Sequence, residues 1–211
     1  LAGAVAIGGD AAGGAFSVGS SDSITRATIR NANGVNRIDV SGDVNVAANN
    51  ETDIHHIVVS GAGGGGNGIA GMADVNLVTD TTEATIENSD LGLLADRVGA
   101  VHVKAEHTLD IDSKAGALGV GISGGGVGAG ASVNIVKART VATLVDSNIY
   151  SNALTDVIAT SVKHIDATAL TAGVGGTVGI GGAAVVTLIG DDVSGDSADE
   201  VDKDGNGSLS A

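Results

Sequence analysis

Cysteine, proline and tryptophan are absent from the chain, and phenylalanine, tyrosine and methionine occur once each. Without cysteine there are no disulfide bonds and no thiolate metal sites, so the sequence selects neither an oxidising nor a reducing compartment. The scarcity of aromatic side chains also disfavours a carbohydrate site, which normally stacks sugars on aromatic rings. Alanine, valine, isoleucine and leucine must therefore form the core of a chain that is 43% hydrophobic.

Positive charge is scarce: 10 Lys and Arg stand against 25 Asp and Glu, which gives a formal net charge of -15. Such a chain repels nucleic-acid phosphates and anionic lipid, and it suits divalent cations. Residues 115–136 carry no charge but contain eight glycines, each of which costs about 1 kcal/mol of helix propensity. We therefore expect neither a nucleic-acid partner nor membrane insertion.

The chain begins Leu1-Ala2-Gly3, and no signal peptide can be read there. We take the sequence as a mature product or a fragment of a longer protein.

The sequence repeats itself with a period of 57 or 58 residues. Segments 24–29, 81–86 and 139–144 align, and segment 73–76 recurs as 131–134. We expect three full repeats at approximately 1–59, 60–115 and 116–171, followed by a partial fourth at 172–190.

Within each repeat, apolar residues recur at every second position, as in strands. After a turn at 124–126, the apolar residues Val127 to Ile135 alternate with Gly128, Gly130, Ser132 and Asn134. This pattern predicts strand, turn and strand. We expect Val133 and its apolar neighbours to fill the core, while the bare glycine face admits another layer at close range.

Short β-branched runs predict further strands at 38–40, 44–46 and 101–103. Between strands, 31–33, 88–90 and 146–148 place Asn, Asp and Ser in one slot of the repeat. Asn and Asp tolerate the left-handed conformation and bond to their own backbone, so these slots predict turns that stack as a ladder.

Periodic strands without a helix-length pattern predict an all-β fold, a β-solenoid (β-helix-like) built from repeats of about 57 residues with Gly- and Ala-rich strands. Each repeat could hold about three coils of roughly 19 residues, or fewer and wider coils; the first case gives a rod roughly 50 Å long. Tandem β-sandwich domains are the alternative.

The Gly/Ala/Val runs, the Thr-x-Ala-Thr-Ile strand with its Asn/Asp turn and the Val-x-Val strand resemble the repeat region of very large secreted bacterial adhesins. Examples of such adhesins are the β-strand repeat proteins of the filamentous-haemagglutinin and leukotoxin type. The resemblance covers roughly residues 1–190. It implies an extracellular or cell-surface location and a role as spacer, scaffold or adhesive surface, with an unidentified host or cell-surface receptor.

Residues 191–211 form an acidic tail, in which 202–210 are similar to the first nine positions of an EF-hand or dockerin calcium loop. Oxygen atoms at alternating positions of such a loop suit Ca²⁺. The expected ligands are Asp202, Asp204, Asn206, Ser208 and Ser210. The bidentate acid of the twelfth position has no counterpart among the 211 residues, and a solvated acidic linker is the alternative.

No catalytic constellation stands out, and we expect no enzyme activity. The five histidines share no slot of the repeat, and we interpret them as polar surface residues; His55 and His56 should point to opposite faces of a strand. Asp53, Asp110 and Asp166 share one slot, where carboxylates could stack as in β-helical polysaccharide-degrading enzymes. A residue that recurs in every repeat is more typical of a turn or a solvated face than of a single active site.

The leading hypothesis is a non-enzymatic structural or adhesive repeat segment of a large extracellular bacterial surface protein. A self-assembling filament subunit is the alternative, since Gly/Ala strands with unprotected edges favour self-association. A β-helical polysaccharide-acting enzyme is the third. Ice binding would need a denser Thr face than the repeat offers.

Overall fold

The computed structural model describes residues 1–190. This part of the chain is built from ten strands, with one 3-10 turn at Gly34–Asn36. The strands are β1 (Ala2–Gly8), β2 (Ala11–Arg30), β3 (Val44–Gly64), β4 (Gly68–Glu87), β5 (Asp90–Leu91), β6 (Val101–Gly121), β7 (Gly125–Val145), β8 (Asn148–Ile149), β9 (Thr155–Gly175) and β10 (Val178–Ile189).

All strand pairs are parallel and join one repeat to the next. Sheet A has the order β1-β3-β6-β9, sheet B the order β2-β4-β7-β10, and β5 pairs with β8 in a small third sheet. In each repeat the chain runs along sheet A, turns back along sheet B and returns through a loop. This path is a β-solenoid, and the predicted all-β fold class is confirmed.

Each repeat forms a single wide coil. Ala27 pairs with Ala84, and Ala84 pairs with Ala142, at separations of 57 and 58 residues. The prediction of three narrow coils per repeat is wrong, and the wider coil that the sequence also allowed is present. A strand of 21 residues extends roughly 70 Å, while adjacent strands lie only about 4.8 Å apart. The expected long rod is therefore a short, broad plate.

Asn/Asp turns end the strands of sheet B, as predicted. Asn31, Asn88 and Asp146 adopt positive φ angles of 57°, 47° and 48°, a conformation that these residue types tolerate well. Nδ2 of Asn88 donates to Oδ1 of Asn31 at 2.7 Å, so the turns stack as a ladder. The side of the coil with these turns and the return loops is called the loop end.

The strand predicted at 38–40 is reduced to a single bridge between Ile38 and Leu91. The runs at 44–46 and 101–103 do lie in strands, but they only begin β3 and β6, each 21 residues long. These strands are longer than expected because their polar residues continue the strand pattern, in which successive side chains point alternately into the space between the sheets and out to solvent.

Three apolar blocks fill the space between the two sheets. The block at the loop end contains Val101, Val103 and Ile86. The middle block contains Val78, Leu109, Ile111 and Val136. The third block contains mainly alanines, with Val58 and Met72. The side chains of the third block are the smallest, so the coil narrows towards that side.

At the other side of the coil, called the glycine end, short turns near 9–10, 65–67, 122–124 and 176–177 connect the sheets. The sheets approach so closely here that a Cβ atom at Gly126 or Gly128 would collide with the backbone of β9. The predicted close approach over a bare glycine face is therefore present, and the approaching layer is the opposite sheet of the solenoid.

The predicted facing of the apolar residues at the glycine end is wrong. Gly128, Ser132 and Asn134 point inwards and are buried, whereas Val127 and Val133 lie on the outer face and are only partly covered. Because the sheets almost touch, only glycine or a small polar side chain fits between them. The larger aliphatic side chains are consequently placed outside.

Candidate functional site

Two layers of polar side chains interrupt the apolar interior. The first polar layer separates the loop-end block from the middle block and is centred on Asp80 of β4, which is 1% exposed. Its carboxylate accepts hydrogen bonds from Thr52 Oγ1 at 2.7 Å, Ser23 Oγ at 2.9 Å and His107 Nε2 at 3.1 Å. These donors come from β2, β3 and β6, so one carboxylate joins both sheets.

The second polar layer separates the middle block from the alanine-rich block and is centred on Asp74, also 1% exposed. His56 Nδ1 lies 3.0 Å from Oδ1 of Asp74, while Ser113 Oγ and Asn76 Nδ2 donate to Oδ2 at 2.5 and 2.9 Å. Asn76 also donates to Oδ1 of Asn134 in the next coil at 2.9 Å. This layer therefore links the two sheets and two successive coils.

Asp80 is a buried carboxylate with several hydrogen-bond donors. Burial disfavours its ionised form, but hydrogen bonds from Thr52, His107 and Ser23, together with the charge of His107, outweigh burial and hold the pKa of Asp80 below its ordinary value of 3.8. Asp80 is therefore ionised at neutral pH. A buried carboxylate with this many donors fixes the register between the sheets, because a slip would leave it unpaired.

The first polar layer also contains a hydroxyl, an imidazole and a carboxylate in sequence. The hydroxyl of Ser161 lies 3.5 Å from Nδ1 of His107, whose Nε2 faces Asp80. This is the order of groups in a nucleophilic triad. The Ser161 to His107 distance is at the outer limit of a hydrogen bond, and the imidazole is 1% exposed. This geometry suits a structural role, in which the buried His107 holds the Asp80 carboxylate, better than attack by the Ser161 hydroxyl on a substrate.

The outer face of sheet A carries most of the remaining chemistry. Asp53 stacks on Asp110 as predicted, but Asp110 stacks on His164, so Asp166 lies in the neighbouring row, beside Asp112. The predicted three-carboxylate slot is thus wrong in its last member. The spacing between β6 and β9 is shorter than the repeat, since Val101 pairs with Thr155, and this shift moves Asp166 by two positions.

Asp112 and Lys114 form an exposed ion pair on this outer face. The hydrogen bond from Lys114, together with its charge, lowers the pKa of Asp112, and the same bond and the charge of Asp112 raise the pKa of Lys114. Because both groups face solvent, the pair adds little to stability.

A shallow groove of about 300 Å³ lies near the loop end of the same face, lined by His102, Lys104, Asp156 and their neighbours. His102 Nδ1 lies 2.5 Å from Asp156 Oδ1, so each of these two groups already has a hydrogen-bond partner within the protein. The groove is shallow, and its polar groups do not converge on a common point.

No three His, Cys, Asp or Glu side chains converge on a metal position within residues 1–190. The predicted calcium ligands Asp202, Asp204, Asn206, Ser208 and Ser210 lie outside the residues that the structure describes. Within the same described range, no helix is long and apolar enough to cross a bilayer.

Sequence reasoning missed the polar layers. His107 is buried and His56 is partly buried between the sheets, so the interpretation of the histidines as surface residues is wrong for both. His55 and His56 do point to opposite faces, as expected. The signal that was missed is the alternation of residues in β4: Asp74, Asn76 and Asp80 have the same even numbering as the buried Val78 and Ala84, so all five lie on one face of the strand.

Comparisons with protein-family models, with curated proteins and with solved structures found no match to this chain.

Proposed function

We propose that the chain is a non-enzymatic structural and adhesive repeat segment of a large extracellular bacterial surface protein. The observation that carries this proposal is the use of polar side chains between coils. Arg26 pairs with Glu83 at 2.9 Å and Arg30 with Glu87 at 2.7 Å. Thr85 and Thr143 lie 3.1 Å apart across the next coil junction.

These contacts connect residues 57 or 58 positions apart, so successive coils contact each other through the outer face of sheet B. A surface of this kind extends by adding repeats, and its stability grows with their number. Rows of charged and hydroxyl side chains lie on sheets A and B towards the loop end, and they form broad faces that suit contact with another macromolecule. The resemblance to large secreted adhesins supports the extracellular location.

Immunolabelling of intact cells tests the proposal directly. Antibodies raised against residues 1–190 are applied to intact and lysed cells of the source organism, with a cytosolic protein as control. We expect labelling of intact cells that external protease removes. Labelling of lysed cells alone would exclude a surface role. Inhibition of cell attachment by soluble protein would then separate an adhesive surface from a passive scaffold.

A filament subunit is the second candidate, and the sheet edges favour it. In residues 1–190, β1 and β2 have no strand neighbour on one side, and β9 and β10 have none on the other. Because all strands are parallel, β9 of one copy could pair with β1 of the next and continue the solenoid. Negative-stain microscopy of the purified chain distinguishes the two: fibres support the filament, and separate plates contradict it.

A further inference from the structure

The outer face of sheet B is apolar near the glycine end and charged near the loop end. Leu77, Leu188 and Val186 are 41%, 44% and 45% exposed, although they are aliphatic and belong to continuous rows. Towards the loop end the same face carries Asp22, Arg139 and further charged residues. An extended aliphatic patch of this kind marks an interaction surface on a folded protein.

This patch has a definite relief, formed by rows that run across the coils. Two rows of large side chains form a ridge: Val18, Val75, Val133 and Val186, and beside them Leu77, Ile135 and Leu188. Two neighbouring rows form a groove: Gly14, Gly71, Ala129 and Gly182, then Ala73, Ala131 and Ala184. Phe16 closes the groove at β2, so it is open over the other three strands.

We propose that this face binds the same face of a second copy of the chain, with the strands of the two copies antiparallel. A two-fold axis between the groove row of Ala131 and the ridge row of Val133 places each ridge in the partner's groove. The surface is therefore complementary to itself, as a two-fold interface requires. The axis runs parallel to the solenoid axis, so every coil meets the equivalent coil.

The size of the patch is adequate for a dimer. About ten strand positions by four strands give a face of roughly 33 by 19 Å, or about 600 Å² per copy. The two copies together bury about 1,200 Å², which is the lower bound for a specific protein interface. Any further coil would enlarge the contact by about 160 Å² per copy.

Charge favours the antiparallel arrangement. A net charge of -15 makes direct contact between the charged halves of two copies unfavourable. With the axis beside Ala131, the row of Arg139 lies opposite the partner's first glycine row at Gly125, and the row of Lys137 lies opposite the row of Val127, both at the rim of the contact. Each copy therefore buries its apolar rows at the centre of the contact, and its charged rows lie at the rim or in water. Parallel stacking would instead place the charged rows opposite one another.

Sedimentation equilibrium of the chain up to about 100 µM tests the association. The test variant is Leu77→Lys, in the ridge. The control is Leu118→Lys, which changes an equally exposed leucine (47% against 41%) on the outer face of sheet A. We expect a dimer whose dissociation constant rises about tenfold or more with Leu77→Lys, and stays within about twofold with Leu118→Lys.

Spin labels then measure the orientation, because the chain has no native cysteine. Arg139→Cys places a label about seven positions from the two-fold axis, so an antiparallel dimer separates the two labels by about 46 Å along the strands. Val141→Cys, nine positions from the axis and outside the contact, gives about 59 Å. If both label pairs lie near 10 Å, the copies stack in parallel and the proposed geometry is wrong.

Two further outcomes would overturn the proposal. One is a monomer at every concentration, and the other is equal weakening of the dimer by both lysine variants. Flotation with zwitterionic phosphatidylcholine vesicles identifies the alternative occupant of the patch. A monomer that floats with the vesicles would assign the aliphatic face to lipid. Neither result bears on surface exposure of the parent protein, so this proposal fails independently of the proposed function.

Discussion

Nε2 of His107 lies 3.1 Å from Oδ2 of Asp80, and both residues are 1% exposed. The two side chains come from opposite sheets, so the pair joins β6 of sheet A to β4 of sheet B. Removal of either partner leaves a buried polar group without its match, which costs more than the intact pair contributes.

We therefore expect Asp80→Ala to lower the free energy of unfolding by about 3 kcal/mol. Asp22→Ala removes an exposed carboxylate from β2 of the same sheet and should change stability by less than about 0.5 kcal/mol. Urea denaturation followed by circular dichroism measures both. Similar losses in the two variants would contradict a structural role for the first polar layer.

The pH dependence of stability follows from the lowered pKa of Asp80. The unfolded carboxyl group binds a proton near pH 3.9, before the folded one does. Asp80 therefore stabilises the folded state above about pH 4, and this contribution is lost as the pH falls through the lowered pKa. Urea denaturation between pH 6 and 3 should give a steeper loss for the unmodified chain than for Asp80→Asn; equal slopes would refute the assignment.

Val136 and Val133 test the facing of β7. Val136 is 0% exposed in the middle block, whereas Val133 lies on the outer face. We expect Val136→Asp to cost about 4 kcal/mol or to prevent folding, because it buries an unpaired charge. Val133→Asp should cost less than about 1 kcal/mol at concentrations where the chain is monomeric. Thermal melts of both variants measure the difference, and a reversed order would restore the facing that sequence periodicity suggests.

Gly126 and Gly63 test the close approach of the sheets. A Cβ atom at Gly126 would meet the backbone of Val174, while nothing lies within 4 Å of a Cβ atom at Gly63. Gly126→Ala should therefore destabilise the fold by about 3 kcal/mol or more. Gly63→Ala should be neutral or stabilise it by up to about 1 kcal/mol. Chemical denaturation of each variant is sufficient, and tolerance of Gly126→Ala would show that the sheets lie further apart.

The calcium loop remains a prediction from residues 202–210. Isothermal titration of the full chain with Ca²⁺ should show one site, and the variant with both Asp202→Ala and Asp204→Ala should lose it. The matched control is Asp191→Ala with Asp192→Ala, which removes equal charge from the same tail. Equal loss in both double variants would indicate diffuse attraction by the acidic tail.

Periodicity predicted the fold well because each residue in a solenoid strand pairs with the equivalent residue of the next repeat. Ala27, Ala84 and Ala142 align in the sequence and pair in the sheet, and the Asn/Asp slots adopt the conformation that their residue types favour. Strand length was harder to predict. Polar residues such as Thr52 and Asp80 look like turn signals in the sequence, yet they lie in the middle of strands and bond to each other.

The inward face could not be predicted from hydrophobicity alone. Val133 is more apolar than Ser132 and Asn134, but the narrow space between the sheets admits only the smaller residues. The polar layers were missed for another reason: the partners of Asp80 lie 27 and 28 residues away on another sheet, and the alternation in β4 alone does not identify them.

The single wide coil sets how far such a protein can extend per residue. One repeat of about 57 residues advances the solenoid by about 4.8 Å, less than 0.1 Å for each residue, against about 1.5 Å in an α-helix. Duplication of repeats therefore lengthens the solenoid very little for the number of residues added. Duplication does enlarge the outer faces of the two sheets effectively, because every added repeat contributes two strands of about 70 Å to them. Selection for more repeats would thus favour contact area over length.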